Sequence, residues 1–322
     1  MLLIVTLGYP KRDHLKQHTW NKYNKCGLQV INWETGATVK EITYRSPGDR
    51  TAPNGSIQFG AGSLYQHNFY VPSRTEVLVY NLPGLYVQKI YSHPTFNDLH
   101  HVTVKDDLIY ICNTGLEIIQ IMTLQGDLLA EYNAGISDTW KRFRRDMDYR
   151  LVPTTKPHET HTNFIFFLEE ELWCTRFIQR DAVCLTAPKP NINLRIGRGG
   201  PHDGLVQGDF IYFTLTEGYI VIVNKNTFKV EEIVDLNQIS NYKVLLGWCR
   251  GIEVIGSKAY VGFSALRSSS FREYGLWIKH GKKPLCSRIA EYDLNNKTLI
   301  NELPVAQDTG AAIYTIKCLS LI

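Results

Sequence analysis

Four segments of the chain open on a polar or cationic residue, alternate through hydrophobic positions and close on an aromatic. They run His101–Tyr110, His161–Trp173, His202–Tyr212 and Arg250–Tyr260. If these are copies of one unit, their opening residues occupy equivalent places and converge. Three of the four are histidine. Neutral imidazole is a common ligand for divalent transition metals, so His101, His161 and His202 are the candidate ligands for Zn, Fe, Mn, Ni or Cu. Three protein ligands leave coordination positions open, as catalytic sites do and structural sites do not. Arg250 would add a permanent cation, suited to a carboxylate or phosphate. Glu159 and Asp203 flank two of the histidines and could fix a tautomer or move a proton. Tyr314 is a further proton-transfer candidate, and His100, His158 and Asn163 lie nearby. Each residue also has a plainer role. A histidine at a strand start can bond the backbone of the next unit, an arginine can tie down a loop, and a carboxylate can cap a turn.

The elements that would position these residues follow from the pattern. Each closing aromatic is followed by two short apolar strands with turn residues between them, such as Glu76–Asn81 and Leu85–Ile90, or Tyr219–Asn224 and Lys229–Val234. Strands of this length joined by tight turns predict antiparallel meanders. The aromatics Tyr70, Tyr110, Trp173, Tyr212, Tyr260 and Tyr314 are 40, 63, 39, 48 and 54 residues apart. Four strands in such an interval is the spacing of a propeller blade. The fold predicted is all-β: a six-bladed β-propeller with four antiparallel strands per blade. Gly310–Cys318 would be the innermost strand of a first blade completed by Leu2–Leu7, Leu28–Asn32 and Val39–Thr43. Closing one blade with both termini removes an exposed sheet edge. Residues 1–322 are read as a single propeller domain with insertions near 135–158 and 266–286. Within the first insertion, Ser137–Tyr149 predicts a helix capped by Asp138, with Trp140, Phe143 and Met147 on one face.

Bulk properties narrow the function. The chain has 322 residues, a net charge of +4 and 11% aromatics. The mild basicity does not amount to a nucleic-acid face. The run Lys141, Arg142, Arg144, Arg145 is interleaved with Trp140 and Phe143 and reads as the solvated side of a helix. The seven cysteines form no CxxC or tight pair, which points to a reducing compartment without a disulfide framework. The apolar start Met1–Leu7 is too short for a signal peptide or membrane helix, so a cytoplasmic protein without membrane association is expected. Arg195–Gly200 is a weak candidate for a backbone anion nest, and Cys249 beside Arg250 is a weak candidate for an activated thiol.

The same residues carry a resemblance. Asp98-Leu-His-His101 with Cys112-Asn-Thr114, His161-Thr-Asn163, Pro201-His-Asp-Gly204, and Cys249-Arg-Gly251 leading to Val261–Arg267 occur in this order. In this the chain resembles a family of uncharacterised bacterial six-bladed β-propellers within the wider gluconolactonase-like and strictosidine-synthase-like group. The resemblance covers roughly residues 98–305 and implies the propeller fold. Lactonases of the wider group use Glu, Asn and Asp around a calcium-like ion, whereas this chain offers histidines, so their mechanism does not carry over. Certain propeller-fold polysaccharide lyases place a metal on axial histidines, which is an analogy of geometry alone. The leading expectation is a metal-dependent lyase or hydrolase acting on a small anionic substrate at the channel mouth. The alternative is a non-catalytic scaffold for a protein or peptide partner, contacting it through Arg267, Arg272, Lys279 and the 137–149 helix. A third expectation is carbohydrate binding through Trp140, Trp248 or Trp277.

Overall fold

In a computed structural model, which describes residues 1–11, 23–53, 55–242, 244–266, 285–307 and 309–319, the chain forms six four-stranded antiparallel sheets arranged as a six-bladed β-propeller. The first blade is built from both ends of the chain. Its order is β24 (Ala312–Cys318), β1 (Leu2–Pro10), β2 (Tyr23–Asn32) and β3 (Thr38–Tyr44). The innermost strands of the other blades are β4 (Ser63–Tyr65), β8 (Leu99–Lys105), β12 (Thr162–Leu168), β16 (Leu205–Gln207) and β20 (Trp248–Ile255). The expected fold and the closure of the first blade are both present. Arg267, Arg272, Lys279, Trp277 and nearly all of the 266–286 insertion lie outside the described residues.

The core is a ring of layers between neighbouring blades. Phe59, Phe69 and Tyr80 pack with Ile4 and Leu28 between the first and second blades, and Phe166 and Trp173 pack with Phe213 between the fourth and fifth. Middle strands, buried on both faces, are continuous apolar runs such as Tyr219–Asn224. Outer strands such as Thr38–Tyr44 expose most of their residues. Five of the six anchor aromatics lie on the second strand of their blade. Tyr314 does not: it belongs to β24, the innermost strand of the first blade.

The 137–149 segment departs from the expected helix. Asp138 does cap a helix, accepting from Trp140 N at 3.0 Å, but that helix (α1, Thr139–Arg142) is a single turn. The backbone is extended at Phe143, which lets Trp140 and Phe143 pack on Leu116, Ile118 and Tyr149, while Met147 is exposed. Tertiary contacts win here because so short a helix has little stability of its own. The arginines of the basic run are spent on carboxylates: Arg142 on Glu117, Arg144 on Asp146 and Arg145 on Glu131.

A candidate anion site at the channel mouth

The innermost strands all begin at one end of the central channel, where a cavity of about 400 Å³ opens. Every blade contributes to its lining. Gln58 precedes β4, His100 sits on β8, His158 and His161 precede β12, His202 precedes β16, Arg250 sits on β20 and Tyr314 on β24. Convergence of the repeat starts on one mouth therefore occurs, but not with all the expected side chains.

His101 is not among them. Its Nδ1 accepts the Ile165 backbone N–H at 3.0 Å from the next blade, and its ring stacks on Phe164 with centroids 3.7 Å apart. His101 is 2% exposed, and burial holds its pKa well below the usual imidazole value. It closes a seam between blades. The cause is a β-bulge: Leu99 pairs with Asn113 and His101 with Cys112, so His100 is the extra residue. A bulge re-aims a side chain at the point where simple alternation would turn it aside. Matching register shifts fall between Thr162 and Phe164 and between Cys249 and Ile252, at the starts of two other innermost strands. Gly60 allows the second blade to close on this bulge, because a Cβ there would sit 2.6 Å from the His100 carbonyl oxygen.

Asp203 is likewise a seam residue. Its Oδ2 accepts from the Thr214 hydroxyl and, at 2.9 Å, from Gly251 N of the sixth blade. Burial raises its pKa to about 6 against the opposing pull of these donors. Glu159 turns away from the channel. Its carboxylate accepts from Ser137 N at 2.8 Å, Ser137 Oγ at 2.7 Å and Ile136 N at 3.1 Å, and it pairs with Arg142. Neither carboxylate lines the cavity. His202 does, but Trp248 Nε1–H donates to its Nε2 at 3.1 Å, so that lone pair is occupied. The three histidines expected to share a metal are thus not brought together. Among the described residues no group of three or more His, Cys, Asp or Glu is placed to hold a metal ion.

What the mouth does collect is cationic and aromatic. Arg74, Lys156 and Arg250 line it, with Trp248, Phe177, Tyr23 and Tyr314 as walls. Arg250 lies over the Tyr314 ring, 3.5 Å from its centroid, and donates its Nε–H to Ile313 O. Among the described residues the terminal guanidinium nitrogens of Arg250 have no hydrogen-bond partner. Asp98, the one lining carboxylate among the described residues, is 3.7 Å from Arg74. Burial pushes the Asp98 pKa up, but Arg74, His100 and Lys156 outweigh it and hold it far below its usual range. Asp98 is ionised and committed to its partners.

The imidazoles form an ordered set. His161 Nδ1 is 2.7 Å from His158 Nδ1, and His158 Nε2 is 3.3 Å from Thr155 Oγ1, which donates to the Gly115 carbonyl at 2.6 Å. A carbonyl only accepts, so each proton in the chain has one place. Thr155 has spent its proton and accepts from His158 Nε2–H. His158 Nδ1 then accepts from His161 Nδ1–H, which leaves His161 Nε2 as a bare lone pair. His100 donates Nδ1–H to the Asp98 carbonyl at 2.7 Å and likewise keeps an unpaired Nε2. The His100 and His161 rings meet edge to face, with centroids 4.9 Å apart. Burial is the first cause lowering the pKa of all four lining histidines, with nearby cations adding to it, and His158 falls to about 4. All four are neutral at pH 7.

Glu117 holds this arrangement in place. Its fully buried carboxylate accepts from the Arg142 side chain and from the backbone N–H groups of Glu159, Thr160 and His161. Sequence reasoning missed Glu117, Arg74, Lys156 and Phe177. Arg74 and Phe177 each follow the second strand of a blade, as Ala265 does, and Ser264 ends one. The second-to-third-strand loops therefore share the mouth with the strand starts, and reading both sets would have found Arg74 and Phe177. The two weak candidates are resolved. Burial pushes the Cys249 thiol well above its usual pKa. In the Arg195–Gly200 loop, Arg198 N donates to Glu217, one of the protein's own carboxylates, at 2.7 Å.

Comparison with known proteins supports the class and goes no further. No family model and no curated protein matches the chain. Among solved structures it resembles a Bacteroides caccae protein of unknown function, with 13% identity, a TM-score of 0.63, and coverage of 98% of this chain and 97% of that one. It also resembles a chain of the nidogen/laminin complex, with 8% identity, a TM-score of 0.58 and the same coverage. At these identities the likeness is one of fold. No helix among the described residues is long and apolar enough to cross a membrane.

Proposed function

We propose that the channel mouth binds a small organic anion, a carboxylate or phosphate carried on a flat apolar body. The observation that carries this reading is the charge balance of the cavity. Among the described residues, three cations and one carboxylate line it, and that carboxylate is held by Arg74. A volume of about 400 Å³ suits a small molecule. The Arg250 guanidinium, braced on Tyr314, offers two terminal nitrogens in a geometry that suits bidentate oxyanion contact. Trp248 and Phe177, stacked 6.1 Å apart, form the apolar wall.

Conversion of that anion by lyase or hydrolase chemistry belongs to the same proposal. It is supported by His100 and His161, whose unpaired Nε2 atoms belong to rings that line the same cavity as Arg250. The resemblance to the gluconolactonase-like and strictosidine-synthase-like group is consistent with a small-molecule site at this mouth. Among the described residues no group of three or more His, Cys, Asp or Glu fits the transition metal expected from the sequence, so no step is routed through one. Isothermal titration with a panel of mono- and dicarboxylates, phosphate esters and their neutral amides or alcohols tests the reading. The anions should bind and the neutral analogues should not, and Arg250→Ala should weaken the anions selectively. Equal binding of neutral analogues, or full affinity in Arg250→Ala, would overturn it.

A further inference from the structure

The anion reading above, on which this inference rests, leaves open what His158 is for. It reaches no ligand position of its own, since both its nitrogens are engaged. We propose that His161 and His158 form a proton-accepting dyad: entry of an anion is accompanied by uptake of one proton at His161 Nε2, and the N–H so formed donates to the bound anion. The proton comes from solvent, one N–H bond forms, and the ligand keeps its charge.

The geometry supports this in three ways. The hydrogen-bond chain ends on the Gly115 carbonyl, so the neutral pair has one defined vacancy for a proton, at His161 Nε2. Once that nitrogen is protonated, the existing Nδ1–H···Nδ1 contact lets His158 share the positive charge. The backbone beneath is fixed, because Glu117 clamps the N–H groups of residues 159–161.

The charged and titratable groups facing the pair explain why the proton waits for the anion. Lys156 stands on the same connector, and His100 faces the pair from β8. Both oppose a further positive charge. Asp98 favours one, but Arg74 offsets it. Glu117 is offset by Arg142, and Glu159 is bound to Ser137 and Arg142. Arg250 acts on His100, the ring that faces the pair, and disfavours its charged form. An incoming anion adds a negative charge that favours the protonated pair.

The test is titration calorimetry on the full chain with sulfate and with oxalate, both fully ionised near neutral pH. Each runs at matched pH in two buffers that differ in ionisation enthalpy. The expected result is uptake of about one proton per anion. Affinity should fall about tenfold per pH unit as pH rises through the window between the free and bound pKa values of the pair. His161→Asn, chosen because His161 sits at φ 52° and Asn tolerates that backbone, should bind more weakly with no proton uptake and a flat pH profile. ¹⁵N shifts of the free protein should show His161 as the Nδ1–H tautomer and His158 as the Nε2–H tautomer. Buffer-independent heats, unchanged uptake in His161→Asn, or reversed tautomers would each overturn the dyad while leaving the anion site standing. If neither anion binds, the anion site itself falls and the dyad with it.

Discussion

Glu117 is where the fold and the site can be perturbed together. Its carboxylate is completely buried and accepts from Arg142, from the backbone N–H groups of Glu159 and His161 at 3.0 Å each, and from Thr160 through both its N–H and its hydroxyl. Glu117→Ala leaves a mostly buried guanidinium and three backbone donors without an acceptor. Removing one partner of a buried pair costs about 3–5 kcal/mol. For a chain of 322 residues, 1 kcal/mol shifts the melting temperature by about 1.5 °C, so the expected loss at pH 7 is about 4–8 °C. The pH dependence has a definite sign. Burial alone would raise the Glu117 pKa, but Arg142 and the N–H donors outweigh it and lower it to about 2 from an ordinary value near 4.5. A group with a depressed folded pKa stabilises above its unfolded pKa, and that contribution is lost as pH falls toward the folded value. Thermal melts of wild type and Glu117→Gln should therefore differ most above pH 5 and converge between about pH 4.5 and 2. Anion binding should weaken in parallel, because the clamp sets the position of His161. A Glu117→Ala melt within 1 °C of wild type, or a difference that grows toward low pH, would refute the reasoning.

Other outcomes follow from the same contacts. His101→Leu leaves the Ile165 N–H without an acceptor and should cost about 1–3 kcal/mol in denaturant unfolding, with anion affinity unchanged; a loss of affinity at full stability would return His101 to the mouth. Arg250→Ala should weaken anion binding about tenfold to a hundredfold, read by calorimetry, with the melting temperature nearly unchanged. Asp203 has a raised folded pKa of about 6, so its contribution is present at low pH and lost as pH rises from about 4 to 6. Wild type should lose up to about 3 kcal/mol relative to Asp203→Asn across that window, measured by urea unfolding at a series of pH values. Treatment with a strong chelator should leave anion affinity unchanged, and a loss restored by a transition metal would contradict the site described.

Much of the architecture was legible because the propeller repeats. Alternating strands, turn residues and evenly placed aromatics recur often enough that the blade count and the shared first blade follow from spacing. The mouth was legible as a place, since strand starts from separate blades must meet there. Its membership was less so, for a reason visible at His100 and His101. Alternation assigns side chains to faces only while the register holds, and a single bulge between Leu99 and His101 exchanges the two roles. Asp203 was misplaced for a related reason. His202 and Asp203 are neighbours, and the first faces the cavity while the second bonds Gly251 across the seam. Arg74 and Phe177 arrive on loops whose sequences carry no periodic signal. The short helix at Thr139–Arg142 was overestimated because burial of Phe143 against Tyr149 outweighed local spacing.

The pairing of mouth and seam residues bears on why the site is poor in acid. Each innermost strand must do two jobs at its start: close the ring against the next blade and present something to the channel. The seam positions take the groups that can accept a neighbouring N–H, and these include Asp203 and His101, satisfied at 2.9 and 3.0 Å. Glu253 does the same further along β20, accepting Cys318 N at 3.2 Å and pairing with Lys317. Carboxylates are thus drawn into closure, where buried N–H donors offset part of their desolvation. Among the described residues, the mouth is left with Arg74, Lys156, Arg250, four imidazoles and a single carboxylate, Asp98. An anion entering this partly desolvated cavity meets cationic side chains of opposite charge, whereas a divalent cation would meet charge of its own sign.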